Sequence, residues 1–197
     1  MARPAEFDRT EVLEKAMNVF WRTGYNATSV TDLVNATKLK PGSLYGAFQS
    51  KRGLFLEVID TYAVRSIDRV KGAMEDASSP LDAIELFFQR FCDELSHDSI
   101  GQGCLMVNTM LELATEDEEV RLKVDDYLNQ VESYFYQLIT EAQAQGQLDK
   151  NKDPDELSTF LMTNIWGLRV LSSKRPDRKK YDAVITNIFK ALHSPSH

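Results

Sequence analysis

The sequence predicts an all-α protein, with an N-terminal three-helix domain built on a helix-turn-helix and a larger helical domain after it. Three observations carry that expectation. Apolar residues recur at three- and four-residue spacing along most of the 197 residues, no segment shows the strict alternation of a half-buried strand, and Gly, Pro and Ser/Asp signals fall between the periodic stretches. The first helix spans about 8–23, with Val12, Leu13, Ala16, Met17 and Phe20 on one face and Gly24 as its stop. The second spans about 29–37, where Thr28 and Ser29 are capping residues and Val30, Leu33, Val34 and Ala36 share a face. Asp32 lies where the helix dipole favours a carboxylate. Lys38, Leu39 and Lys40 form the turn, and Pro41 opens a short helix over about 41–47, at the position where its missing N–H costs nothing.

That short helix lacks bulk. Lys40, Gly42, Ser43 and Gly46 leave a surface that lets the backbone approach a phosphate or a base edge. Leu39, Leu44 and Phe48 have the spacing to bury themselves, which leaves the Tyr45 hydroxyl pointing outward. Ser50 caps a long helix over about 50–77, and Lys51 opposes the dipole in its first turn, a cost that an anionic partner would offset. Ser78, Ser79 and Pro80 then mark a boundary. The expected ranges are 1–50 for the helix-turn-helix domain, 51–77 for a connecting helix and 78–197 for a sensing and dimerisation domain.

Ile84, Phe87, Phe88, Phe91 and Leu95 mark the next helix, and HDSIGQG a loop. Further helices follow over about 105–114, from Val120 through Phe135 to a stop at Gly146, over about 155–173, and over about 178–192. The acidic run at 116–119 fits the first turn of a helix better than a metal site. His97, His193 and His197 have no Ser or Cys partner at a recognisable spacing, so no catalytic constellation emerges and no cofactor or metal is implied.

A net charge of −7 argues against a nucleic-acid partner until its distribution is seen. Residues 1–71 carry 11 Lys and Arg against 8 Asp and Glu, net +3; the remainder carries 12 against 22, net −10. The positive charge travels with the helix-turn-helix. No run approaches the roughly 18 apolar residues of a membrane span, and MARPAEFDRT lacks the apolar core of a signal peptide, so a cytoplasmic location is expected. Cys92 and Cys104 make no metal-ligand spacing and are expected as thiols, Cys92 within the core.

Over about 7–62, including EVLEKAMNVFWRTGYNATSV, GSLYGAF and SKRGLF, the chain resembles the N-terminal domain of TetR-family transcriptional regulators. The resemblance implies a DNA-binding repressor that is not an enzyme, with the short helix in the major groove. Carried over by position, it implies DNA contacts at Thr28, Ser29, Lys40, Pro41, Gly42, Ser43, Tyr45 and Lys51, with Tyr45 and Lys51 on phosphates. A basic start with Arg3 has the makings of a minor-groove arm.

One recognition helix reads too few base pairs for high specificity. A homodimer reading two half-sites of a palindromic operator, about 34–36 Å apart, is therefore expected. The resemblance implies that the last two helices pack across the two-fold axis, with Phe160, Asn164, Leu168, Ile185, Ile188 and Phe189 as candidate contacts; closing the monomer core is the competing use of the same stripes.

The signal is open between two readings. Phe87, Phe91, Asn108, Tyr134 and Trp166 are candidates to line a pocket for a reversibly bound apolar inducer. Alternatively, Cys104, following Gly101 and Gly103 at a helix start, is placed where a thiolate is favoured, and Lys174 or Arg169 would add to this if close. GCLMVNTMLE resembles the branch of the family that contains N-ethylmaleimide-reductase repressors, which implies electrophile or oxidant sensing at this Cys; a small buried packing residue is the competing reading. An activator, or an enzyme or binding module that borrows the fold, remains the alternative to a repressor.

Overall fold

A computed structural model describes residues 7–97 and 103–194. Among the described residues the chain is all-α, with nine helices: α1 (Arg9–Thr23), α2 (Val30–Thr37), α3 (Pro41–Phe48), α4 (Lys51–Asp76), α5 (Pro80–His97), α6 (Leu105–Leu113), α7 (Glu118–Ala144), α8 (Pro154–Ser172) and α9 (Arg178–His193). Each expected helix is present. Most of the expected loop at 97–103, with Gly101, lies outside the described residues, as do Arg3 and His197.

The helix ends follow local chemistry. Asp8 accepts from the Thr10 and Glu11 N–H groups to cap α1, and Gly24 closes it with φ 78°. Asp153 and Asp177 cap α8 and α9 in the same way. Asp117 does so for α7, accepting from Val120 N at 3.0 Å, which places the acidic run at a helix start.

The chain divides into two compact units. One comprises Met1–Val64 and Leu105–Val124, the other Arg65–Cys104 and Asp125–His197. By packing, α6 and the start of α7 group with the helix-turn-helix. Local turn signals carry no information about which distant helix a segment packs on.

The first unit is built on Val12, Ala16, Met17, Phe20, Leu33, Leu44, Phe48, Phe55 and Val58, all buried. Phe20 meets Phe55 edge-on at 4.9 Å between ring centroids, and Tyr25 tilts against Phe55 at 4.7 Å. In the second unit Phe87, Phe88, Phe91 and Phe135 cluster with Leu138, Ile139, Leu161, Leu168, Tyr181 and Ile188. No described helix is long and apolar enough to cross a membrane.

The turn from α3 into α4 is the tightest packing near the recognition element. Ser50 accepts from Gly53 N at 2.9 Å, and a Cβ on Gly53 would lie 2.1 Å from the Phe48 carbonyl oxygen. Only a residue without a side chain fits. Gly53→Ala should therefore cost about 1–3 kcal/mol of stability by overpacking, read as a lowered urea midpoint.

Candidate nucleic-acid interface

The approach to the recognition element is set by caps. Ser29 accepts from Asp32 N at 3.1 Å while Asp32 accepts from Ser29 N at 2.9 Å, a reciprocal capping box that starts α2. The Ser29 hydroxyl, donating to the Asp32 carboxylate at 2.6 Å, and the Ser29 N–H hold that carboxyl below the usual carboxylate range. Lys38 takes the left-handed conformation at φ 61° to end α2, and Lys40 then leads into Pro41 at the first position of α3 with no side-chain cap.

α3 buries Leu44 and Phe48 and exposes Pro41, Gly42, Ser43, Tyr45 and Gly46. Tyr45 is 42% exposed. A Cβ at Gly42 or Gly46 would meet nothing within 4 Å, so the fold itself does not require glycine at either place. Glycine inside a helix costs roughly 0.5–1 kcal/mol relative to alanine, and the flat face it leaves suits close approach of an external surface. Ser29, Lys40, Pro41, Gly42, Ser43 and Tyr45 are all exposed and border this element.

Two of the expected DNA contacts also hold the unit together. Thr28 is 1% exposed; its hydroxyl donates to Gly24 O at 2.5 Å and lies 2.6 Å from the Thr23 hydroxyl, so its side chain is used inside the unit. Lys51 Nζ donates to Tyr25 O and Thr28 O, each at 2.8 Å, and stands 4.3 Å from the Tyr25 ring centroid. The cation at the start of α4 is thus offset within the chain by two carbonyls and a ring. One of its three N–H donors is left over.

The α1–α2 loop is also gripped from α6, through residues the sequence reading did not single out. Glu112 accepts from Tyr25 N at 2.9 Å and Asn26 N at 2.7 Å. A Cβ on Gly24 would lie 2.7 Å from that carboxylate, a second reason for glycine there. Arg52 of α4 pairs with Asp117 at 3.0 Å and Glu119 at 2.7 Å, and Lys123 with Asp60 at 2.6 Å. Nothing in the spacing of Glu112 and Tyr25 announces their contact; only an acidic residue on a largely apolar short helix hinted at one.

The sensor and pocket candidates scatter. Cys104 is half-buried just before α6, after Gly103 at φ 75°. The Arg169 guanidinium engages Glu94 and Phe91, and Lys174 is exposed. Cys92 is fully buried on α5, and burial pushes its thiol up to about 11, which fits its expected place in the core. Phe87 and Phe91 are buried, and Tyr134 and Trp166 pack half-buried against the same cluster. Asn108 is exposed on α6, in the other unit. Among the expected dimer contacts, Leu168 and Ile188, each 1% exposed, and Ile185, at 9%, close their own unit's core. Phe160, Asn164 and Phe189 are half-buried, and Asn164 donates to Phe160 O at 2.8 Å.

A helix-turn-helix with a low-bulk exposed recognition helix, carried by an all-helical chain, defines a DNA-binding transcriptional regulator. Residues 12–58 match the family of bacterial regulatory proteins, tetR family, and residues 80–188 match the tetracyclin repressor-like C-terminal domain. The chain belongs to the TetR family. It is 32% identical over 173 residues to the transcriptional repressor ComR of Escherichia coli, covering 85% of this chain and 80% of ComR. A cysteine-substituted form of the TetR-family regulator CifR, solved with a 26-base-pair operator duplex, superposes with a TM-score of 0.85 at 31% identity, over 96% of this chain and 99% of that one. Reduced NemR of E. coli has a TM-score of 0.82 at 16% identity, over 95% and 99%, and so shares the fold.

Two predictions follow from the geometry. Gly46→Ala should hold or raise thermal stability, because the new methyl meets open space, yet weaken DNA binding measurably in a gel shift. The Arg52 guanidinium and the Val120 N–H hold the Asp117 carboxyl below its ordinary value. Its contribution to stability is therefore present above the unfolded pKa of about 3.9 and lost as pH falls through the lower folded value. Acid unfolding of Asp117→Asn should accordingly lose part of its pH dependence below about pH 4, with no change in operator affinity between pH 6 and 8.

Proposed function

We propose that this TetR-family repressor acts as a cytoplasmic homodimer, holding a palindromic operator with one α3 in each half-site and releasing it when the C-terminal unit is occupied or modified. The observation that carries the reading is the exposed, low-bulk face of α3, whose two glycines the chain's own packing does not require. Ser29, Lys40, Pro41, Gly42, Ser43 and Tyr45 are the proposed contacts, with Lys51 and Thr28 supporting them from behind through the loop they fix. Phe160, Asn164 and Phe189 are the proposed dimer contacts. The role proposed is regulatory, which the chain's likeness to transcriptional repressors and to an operator-bound regulator supports.

Two signals compete. Cys104, half-buried at the start of α6, supports a thiol switch acting on the helix that carries Glu112. A cavity beside Phe87 and Phe91 supports a reversibly bound inducer. Release needs only that the signal favour, by a few kcal/mol, a dimer whose recognition helices no longer match the half-site spacing.

Titrating a fluorescent duplex from the chain's own upstream region tests the reading. Tight binding that weakens steeply with salt is expected, with Tyr45→Phe weakening it and Lys40→Ala flattening the salt slope by about one. Salt-insensitive binding, or none, would overturn it. In the same assay an electrophile should release wild type but not Cys104→Ser if the thiol is the sensor; equal release of both removes the thiol reading.

A further inference from the structure

The C-terminal unit buries a cation that its surroundings only partly satisfy. Arg169 of α8 is 4% exposed, between the buried Leu168 and Ser172. Its Nη2 stands 3.6 Å from Glu94 Oε1, beyond hydrogen-bond reach, and its Cζ lies 4.6 Å from the Phe91 ring centroid. Among the described residues these are the contacts of the guanidinium, so a fork of five N–H donors meets no acceptor at bonding distance. Buried donors in that condition are uncommon, and a buried Arg is suited to bidentate recognition of a carboxylate.

The nearest carboxylate is already drawn to another partner. Arg69 of α4 donates to Glu94 from Nε and Nη2, both at 2.8 Å, so Glu94 is bidentate to Arg69 and only distant from Arg169. Its side chain is 42% exposed, and turning it out to water requires little rearrangement. Asp68, Arg69, Gly72, Phe87, Arg90, Phe91 and Glu94 line a cavity of about 180 Å³, and Arg169 lies behind that lining, against Glu94 and Phe91. Arg90 is engaged by Gly72 O and Asp76. The Phe87 and Phe91 rings stack at 5.6 Å with 13° between their planes and make one side of the cavity apolar.

We propose that this cavity binds a small organic acid, whose carboxylate replaces Glu94 between Arg69 and Arg169 and whose apolar body lies on the Phe87–Phe91 wall. Two guanidiniums against one carboxylate favour an added anion at that pair. The volume lies below the roughly 300 Å³ at which drug-sized pockets begin, so the ligand is a short-chain or single-ring acid. Displacing Glu94 unhooks α5 from Arg69 of α4, the helix that begins at Lys51. The proposal rests on the ligand-responsive reading for its effect on DNA, though not for binding itself.

Calorimetric titration of the full chain with sodium benzoate, using benzamide as the neutral analogue, tests the site, with operator binding measured separately on the same sample. Benzoate should bind and benzamide at least tenfold more weakly. Glu94→Gln, which removes the competing carboxylate, should tighten benzoate several-fold, and Arg69→Gln should weaken it at least tenfold. Arg169→Gln should do the same, with circular dichroism to check its fold; if it does not fold, the partly exposed Arg69 carries the test. Equal binding of benzamide, an unchanged Arg69→Gln, or no heat from either wild type or Glu94→Gln would overturn the site. A chain that prefers an operator but ignores benzoate removes this proposal alone. A chain that binds benzoate in the expected pattern without preferring any operator keeps the site and removes the repressor reading.

Discussion

The recognition helix is aimed by a loop whose backbone polar groups are taken up by two charged side chains. Glu112 accepts the N–H groups of Tyr25 and Asn26, and Lys51 donates to the carbonyls of Tyr25 and Thr28. Each fills groups that the loop's own conformation leaves without intrahelical partners. With the loop fixed from α4 on one side and α6 on the other, the capping box at Ser29 starts α2 in one place. α3 then follows after the left-handed Lys38.

Much of this was legible from local chemistry. Ser29 with Asp32, Pro41 at a helix start, Gly24 at a helix end and the apolar stripes from Val12 to Ile188 all act within a few residues, and the helices fall where those signals put them. The long-range pairings were not. Lys51 and Tyr25 lie 26 residues apart, and Glu112 and Tyr25 lie 87 apart; the sequence shows only that Lys51 needs compensation, not that carbonyls of the same unit supply it. The internal bond of Thr28 was equally hidden, since an N-terminal Thr reads alike whether its hydroxyl faces water or Gly24 O.

In the proposed switch the signals act on helices that also carry the loop's two charged partners. Cys104 directly precedes α6, which carries Glu112 in its last turn, and Arg69 sits on α4, the helix that begins with Lys51. On that proposal a modified thiol or a displaced Glu94 biases a helix whose other end holds the loop before α2. Such coupling needs no more than a small bias between two arrangements of that loop.

The account turns on the α3 face reading duplex DNA. Selection of bound sequences from a random duplex library with the full-length chain tests it most directly. An inverted repeat should be enriched, with half-site centres about one helical turn or a multiple apart, and the enrichment should fall when Gly46 is replaced by Ala. A pool with no enriched sequence at modest ionic strength would contradict it.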